Sequence, residues 1–421
     1  MTPANRALFI LTSLNLVNYL DRYLIAALGS LVKREMDLSD SAFGFLGTAF
    51  FLVYFFSAPI FGYLGDRWGR RQLMAGGAAL WSLITGLTYW VGSYPALVAA
   101  RGLVAVGEAS FSTLAPAYFA DILPQGKRAR ALGLFYLALP IGTAMAYLVG
   151  ALVGSRWGWR SAFLVAGLPG LAMAFLVYRL PRTRRPQPAP SLGEVTGRNS
   201  LFAVAWDLWR IPTIRRVTLG FGMTTFTLGG LAFWMPRYLE MAKGLTLPQA
   251  NLLLFGCVIL GGGLGTVAGG YLGDRLLAYT PRAPLWVSGG SIVLALPLSA
   301  LLIFSVHPFL YTPALAGATF FLFMNPGVLT SVVVSVAGPR RRAQAVALTI
   351  VVIHLVGDVP SPLLIGWVAD LGGLRWGVSL IMTALVAAAL LVLSALPHLR
   401  ANLAAAQELP ANPGEGTGSE T

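Results

Sequence analysis

The chain has 421 residues, of which 56% are hydrophobic and only 11% charged, with a mean hydropathy of +0.71. Soluble domains carry about 25% charged residues, so this composition excludes a water-soluble fold and leaves an integral membrane protein. The formal net charge of +14 would suit a nucleic-acid binder, but its concentration in alternate loops excludes that reading.

A run of about 20 apolar residues crosses a hydrocarbon core of about 30 Å. Twelve such runs are predicted, at 6–32, 42–65, 72–92, 96–120, 131–154, 160–180, 216–239, 248–273, 284–305, 309–335, 343–369 and 376–397. The first is too long for a cleaved signal peptide and is expected to be retained as a helix. On it, Asn15, Asn18 and Arg22 recur at i, i+3 and i+7 and share a face, with Asp21 at its edge. The second span closes on Gly62-Tyr63-Leu64-Gly65-Asp66-Arg67, followed by Trp68-Gly69-Arg70-Arg71. The fourth holds Arg101 and Glu108, two turns apart and therefore on one side, with Gly102 and Gly107 available for close helix approach.

A polar stretch, 181–215, separates an N-terminal unit, 1–180, from a C-terminal one, 216–400, and is predicted to be a cytoplasmic linker. Its Trp206-Asp207-Leu208-Trp209-Arg210 segment reads equally as a short surface helix or a plain connector. The eighth span contains the single cysteine, Cys257, so an intrachain disulfide is excluded. That span closes on the same hexapeptide as the second, Gly270-Tyr271-Leu272-Gly273-Asp274-Arg275. A six-residue identity at half the chain length implies two related halves, as in carriers built from internal repeats. The eleventh span carries His354 and Asp358 at i, i+4, with Ser361 nearby, and 401–421 reads as a disordered cytoplasmic tail.

Loops 2–3, 4–5, 6–7, 8–9 and 10–11 hold nineteen Lys and Arg residues and the alternate loops seven. The positive-inside rule then puts both termini in the cytoplasm, with the bacterial inner membrane as the expected location. A charge at membrane depth costs several kcal/mol on insertion scales of about 2.5–3.5 per residue, so Asp21, Arg22, Arg101, Glu108 and Asp358 are expected to face a shared interior and pair there. A carboxyl group whose surroundings alternate between wet and closed alternately binds and releases a proton. Asp21 is the first candidate for that role and Glu108 the second. Asp66, with Arg67, Arg70 and Arg71, is predicted to form a polar latch on a neighbouring helix end, lipid phosphates or acidic partners. Asp274 and Arg275, without the trailing Gly-Arg-Arg, predict a weaker one. The histidines His307, His354 and His398 form no metal-binding spacing, Cys257 has no neighbouring base, and no serine sits in a nucleophile elbow. No enzyme activity, metal or cofactor is expected.

With these residues in hand, the chain resembles the major facilitator superfamily, through the Gly62–Arg71 signature and Arg101-Gly-Leu-Val-Ala-Val-Gly107-Glu108. Within it, Asn18-Tyr19-Leu20-Asp21-Arg22, Gly107-Glu108-Ala109, Phe135-Tyr136-Leu137-Ala138-Leu139-Pro140-Ile141-Gly142 and His354-Leu355-Val356-Gly357-Asp358-Val359-Pro360-Ser361-Pro362 are similar to the spinster family. That resemblance implies twelve transmembrane helices in two pseudo-symmetric six-helix bundles. It implies movement of lysophospholipids or sphingoid lipids by alternating access with proton coupling, in a monomer surrounded by membrane lipids. Asn18, Arg22, Arg101, Glu108, His354 and Asp358 would then contact the substrate. Ala144 and Ala146 depart from the glycine-rich fifth helix usual there. A drug exporter or small organic-anion carrier of the same fold is the alternative, followed by a membrane receptor that binds without transporting. The second half adds Phe221, Phe226, Phe233, Trp234, Phe321 and Phe323, candidates for an apolar cavity wall.

Overall fold

A computed structural model describes residues 2–182 and 201–407; the linker stretch 183–200 and tail residues 408–421 lie outside the described residues. The described chain is helical throughout its ordered elements. The first half contains α1 (Pro3–Ala27), α2 (Gly29–Met36), α3 (Asp40–Trp68), α4 (Arg70–Leu87), α5 (Tyr94–Ile122), α6 (Gln125–Tyr136), α7 (Ala138–Val149) and α8 (Ser155–Tyr178). A short α9 (Leu201–Arg210) follows. The second half contains α10 (Pro212–Lys243), α11 (Leu247–Cys257), α12 (Gly263–Leu277), α13 (Ala283–Phe304), α14 (Pro308–Phe323), α15 (Asn325–Ile353), α16 (Pro360–Gly372) and α17 (Leu374–Ser394), with α18 (Leu396–Gln407) last. Wider π turns at Gly150–Gly154, Val258–Gly262 and His354–Asp358 join α7 to α8, α11 to α12 and α15 to α16.

Helix starts follow their local chemistry. Thr2 and Ser39 accept a hydrogen bond from the first free amides of α1 and α3, and Thr246 with Gln249 forms a reciprocal capping box on α11. The string is broken at Gly158 (φ 81) and Gly338 (φ 71), left-handed conformations that cost a side-chain-bearing residue dearly. Among the described residues, nine stretches are long and apolar enough to cross a membrane. One of them, Arg130–Tyr178, contains the break at Gly158, and α1 and α4 add two further passes, a path consistent with twelve.

The apolar core is divided unevenly. One cluster, including Ala7, Met74, Leu114, Phe119 and Val177, belongs to the first half alone. The other runs from Leu24–Val32, Phe43, Leu46, Tyr147 and Trp159 straight into Phe233, Trp234, Leu254 and Ile365 of the second half. The halves are therefore fused at the end of the molecule that carries the 1–2, 7–8 and 11–12 connections. Glycines make the seam tight: a Cβ on Gly44 would lie 2.2 Å from Pro362 O, and one on Gly366 2.4 Å from Asp40 O. Thr48 donates to Val359 O (2.6 Å), Trp234 Nε1 to Pro362 O (3.0 Å), Tyr147 to Ala232 O (2.8 Å) and Asn251 to Ala27 O (2.9 Å).

Charges finish this seal. Asp40 accepts from Lys33 of its own half and from Arg237 Nε of the other at 3.2 Å. Asp370, in the second half, accepts from the amides of Asp40 (2.7 Å) and Ser41 (2.9 Å), so the first turn of α3 is capped across the seam.

At the opposite end, α18 lies on α10 and α15, with Asn402 Oδ1 accepting from Thr213 Oγ1 at 2.7 Å. The chain thus stays helical past position 401, where the tail was expected to start. In the linker, 201–210 is helical, burying Leu208 and leaving Trp206 57% exposed.

Candidate functional site

The site begins with two close helix approaches in the first half. A Cβ on Gly142 would stand 2.5 Å from Leu16 O, and one on Gly107 2.6 Å from Gly77 O, so α7 presses on α1 and α5 on α4. Gly102 meets only the Val53 side chain, at ordinary distance, and makes no such approach. These contacts hold Asn18, Asp21, Arg22, Arg101 and Glu108 together in the interior, each no more than 8% exposed.

Neighbours in sequence diverge here. Residues one apart on a helix point about 100° apart, so Asp21 and Arg22 take different partners. Arg22 donates to Glu108 Oε2 from Nε (3.0 Å) and Nη2 (2.9 Å), and Nη2 also reaches Asn18 Oδ1 at 3.4 Å. Asp21 Oδ2 accepts from Thr85 of α4 at 2.5 Å. Arg101 donates from Nη2 to Arg22 O at 3.2 Å and rests on the Phe50 ring, 4.6 Å from its centroid. The Arg22 guanidinium is itself boxed by Tyr19 (4.9 Å), Tyr54 (5.0 Å) and Phe50 (5.3 Å). Buried polar groups are ordinarily hydrogen-bonded. In this cluster Asp21 Oδ1, Glu108 Oε1, Asn18 Nδ2, Arg101 Nε and Arg101 Nη1 have no partner. Two free acceptors and three free donors in one buried cluster give it the capacity to take a proton and a polar, anionic group.

The second half answers with His354 and Asp358, on the π turn between α15 and α16. His354 Nδ1 lies 2.7 Å from Asp358 Oδ2. Gly229 of α10 makes room for the acid, since a Cβ there would fall 2.9 Å from Asp358 Oδ1 and 3.2 Å from Ser361 Oγ. The Tyr54 ring stands 6.0 Å from the His354 ring and 5.0 Å from the Arg22 guanidinium, linking the two polar groups across the seam.

The loop motif sits far from this cluster in sequence and serves the first half. Gly62 makes only an ordinary contact with Thr113, and Gly69 (φ 96) separates α3 from α4. The Asp66 side chain lies outside the described residues. Arg67 covers the Tyr63 ring at 4.3 Å, Arg70 Nη1 reaches Asp121 Oδ1 (2.5 Å) and Ala117 O (3.2 Å), and Arg71 Nη1 reaches Leu180 O (2.9 Å). In the second copy Asp274 and Arg275 are exposed, and Arg275 donates to Tyr271 within its own helix at 2.7 Å. Of the aromatics expected to line a cavity, Phe233 and Trp234 instead pack against Phe43 in the seam, with ring centroids 4.9 and 5.5 Å away. Phe221 and Phe226 are buried in the same core, and Phe321 and Phe323 are half-buried.

Sequence reasoning missed Thr85, Tyr54 and Gly229, which carry no charge, and the seal residues Lys33, Asp40, Arg237 and Asp370. The last four had a signal, opposite charges bordering the alternate loops, that could have marked them.

Residues 11–359 match the family model of the Major Facilitator Superfamily. The chain is 34% identical over 405 residues to human "Protein spinster homolog 1", covering 88% of this chain and 74% of that protein. It is 35% identical to the same protein of Xenopus tropicalis, covering 86% and 72%. Among solved structures, a bacterial homolog to the human lysosomal transporter spinster, in an inward-facing and unoccupied conformation, shares the fold with a TM-score of 0.83 at 21% identity, over 96% of this chain and 98% of that one. The same homolog in its occupied conformation gives 0.75. With its repeated halves, its buried charges and these matches, the chain belongs to the major facilitator superfamily, as an integral membrane transporter of the spinster family.

Proposed function

We propose that this transporter couples proton movement to the passage of an amphiphilic lipid, of the lysophospholipid or sphingoid type, by alternating access. The single observation that carries the reading is the buried cluster of Asp21, Arg22, Arg101 and Glu108 with unfilled hydrogen-bonding capacity, set against an apolar second half whose main polar feature near it is His354 and Asp358. An anionic headgroup meets the free Arg101 nitrogens, and the acyl chain lies along the apolar side. A proton on Asp21 neutralises the acid that otherwise competes for Arg101. Glu108, held by Arg22, shapes the headgroup site and takes the proton when that pair opens.

By the positive-inside rule the sealed end faces outward and the termini lie in the cytoplasm, as in a plasma membrane of the bacterial inner type. Transport then requires the seal of Asp40 and Asp370 to open while the other end closes, by rocking of the two halves.

Proteoliposome flux tests this. A fluorescent lysophospholipid should accumulate under a pH gradient with the wild-type chain and lose that gradient dependence with Asp21→Asn. Gradient-driven uptake that survives the substitution removes Asp21 from coupling. Transport of small organic anions with no lysolipid flux overturns the lipid substrate.

A further inference from the structure

At the end of the molecule opposite the seal, a cleft of about 220 Å³ is lined by Pro3 and Arg6 of the first turns of α1 and by Arg179, Leu180 and Pro181 just after α8. No acidic residue lines it among the described residues. Among the described residues, neither the Arg6 nor the Arg179 guanidinium meets a carboxylate; Arg179 only rests on Phe175, 4.8 Å from the ring centroid. The nearby acid Asp121 is engaged by Arg70 at 2.5 Å.

Two further features favour an anion. The cleft opens on the positive, amino-terminal end of the 25-residue α1. The carbonyls just beyond the negative end of α8 are already occupied, Leu180 O by Arg71 Nη1 (2.9 Å) and Pro181 O by the Tyr118 hydroxyl (2.9 Å). They leave Arg6 and Arg179, both exposed, facing the cleft without a counter-charge among the described residues.

The surroundings specify a lipid anion. Phe9 lies one turn beyond Arg6 on α1 and is 63% exposed; Phe175 lies one turn before Arg179 on α8 and is 57% exposed. Cations at the headgroup level with aromatic rings one turn deeper match the two parts of a phospholipid, phosphate above and acyl chain below. A zwitterionic headgroup would bring its own ammonium against the two arginines.

We propose that Arg6 and Arg179 form a binding site for the phosphate of an anionic phospholipid, whose chains lie over Phe9 and Phe175. The site is separate from the buried charge cluster and does not depend on what that cluster transports.

Native mass spectrometry of the full chain with phosphatidylglycerol or phosphatidylcholine tests it, with Arg6→Ala/Arg179→Ala compared against Arg215→Ala/Arg400→Ala, which removes two exposed charges elsewhere. With about 1 kcal/mol attributed to each basic residue near an anionic surface, the first pair should bind phosphatidylglycerol about 30-fold more weakly. The control pair should retain wild-type binding, Arg6→Lys/Arg179→Lys should recover part of the loss, and phosphatidylcholine should bind weakly throughout. Equal losses in both alanine pairs, or none in either, overturn the site. Displacement of phosphatidylglycerol by millimolar inorganic phosphate overturns the lipid as its ligand. Monodisperse elution of each variant secures that the loss is not unfolding.

Discussion

Arg22 on α1 grips one oxygen of Glu108 on α5 with two nitrogens, 3.0 and 2.9 Å away, and leaves the other carboxylate oxygen without a partner. Both side chains are buried, so the pair joins its helices electrostatically while keeping an acceptor available for chemistry. Its stability consequence differs from that of a surface pair. Removing either partner strands a buried charge at about 3–5 kcal/mol, whereas removing both is close to neutral. Arg22→Met and Glu108→Leu should each lower thermal stability in detergent, and the double variant should lose less than either single one. A double variant as unstable as the sum of the two would refute the pairing.

Gly229 predicts a transport defect at a residue that bears no functional group. An added methyl would lie 2.9 Å from Asp358 Oδ1 and 3.2 Å from Ser361 Oγ, forcing the acid away from His354. Gly229→Ala should cut flux by about tenfold, the effect of about 1.4 kcal/mol on a barrier. Gly76→Ala, where a methyl meets nothing within 4 Å, should leave flux intact and add up to about 1 kcal/mol of helix stability. Equal flux in the two variants would show that the position of Asp358 is immaterial.

The cap that Asp370 places on the first turn of α3 is a bond between halves and must break if the seal opens. Loss of a helix cap costs about 0.5–2 kcal/mol. Asp370→Ala should therefore raise the population open at that end by about 2- to 30-fold. The rate at which an impermeant maleimide labels Thr48→Cys, in a Cys257→Ser background, reads this directly. An unchanged rate would mean that Asp370 does not hold the halves together.

Glu35, in the last turn of α2, gives a pH signature outside the membrane. Burial works against its charge, but hydrogen bonds from Arg160 and Trp159 outweigh it and hold the carboxyl below its ordinary value. A carboxyl lowered on folding stabilises the folded state above its unfolded pKa, about 4.3, and that contribution disappears as pH falls through the folded value. The thermal-stability difference between wild type and Glu35→Gln should be constant from neutral pH down to about 5 and shrink below it. A difference that grows on acidification would contradict the assignment.

The sequence by itself determined that the chain spans a membrane, that one hexapeptide recurs, ending at Arg67 and at Arg275, and that Asp21, Arg22, Arg101, Glu108 and Asp358 fall within apolar runs. Those properties are legible because solvation by lipid acts residue by residue along each segment. Which of these charges meet was decided only by the tertiary structure. Asp21 turns to Thr85 and Arg22 to Glu108, Tyr54 bridges to His354, and Asp40 and Asp370 close one end. Such pairings depend on how far each helix is rotated and how closely it approaches its neighbours. That is set by contacts such as Gly142 on Leu16, Gly107 on Gly77 and Gly44 on Pro362, between segments that no local pattern relates.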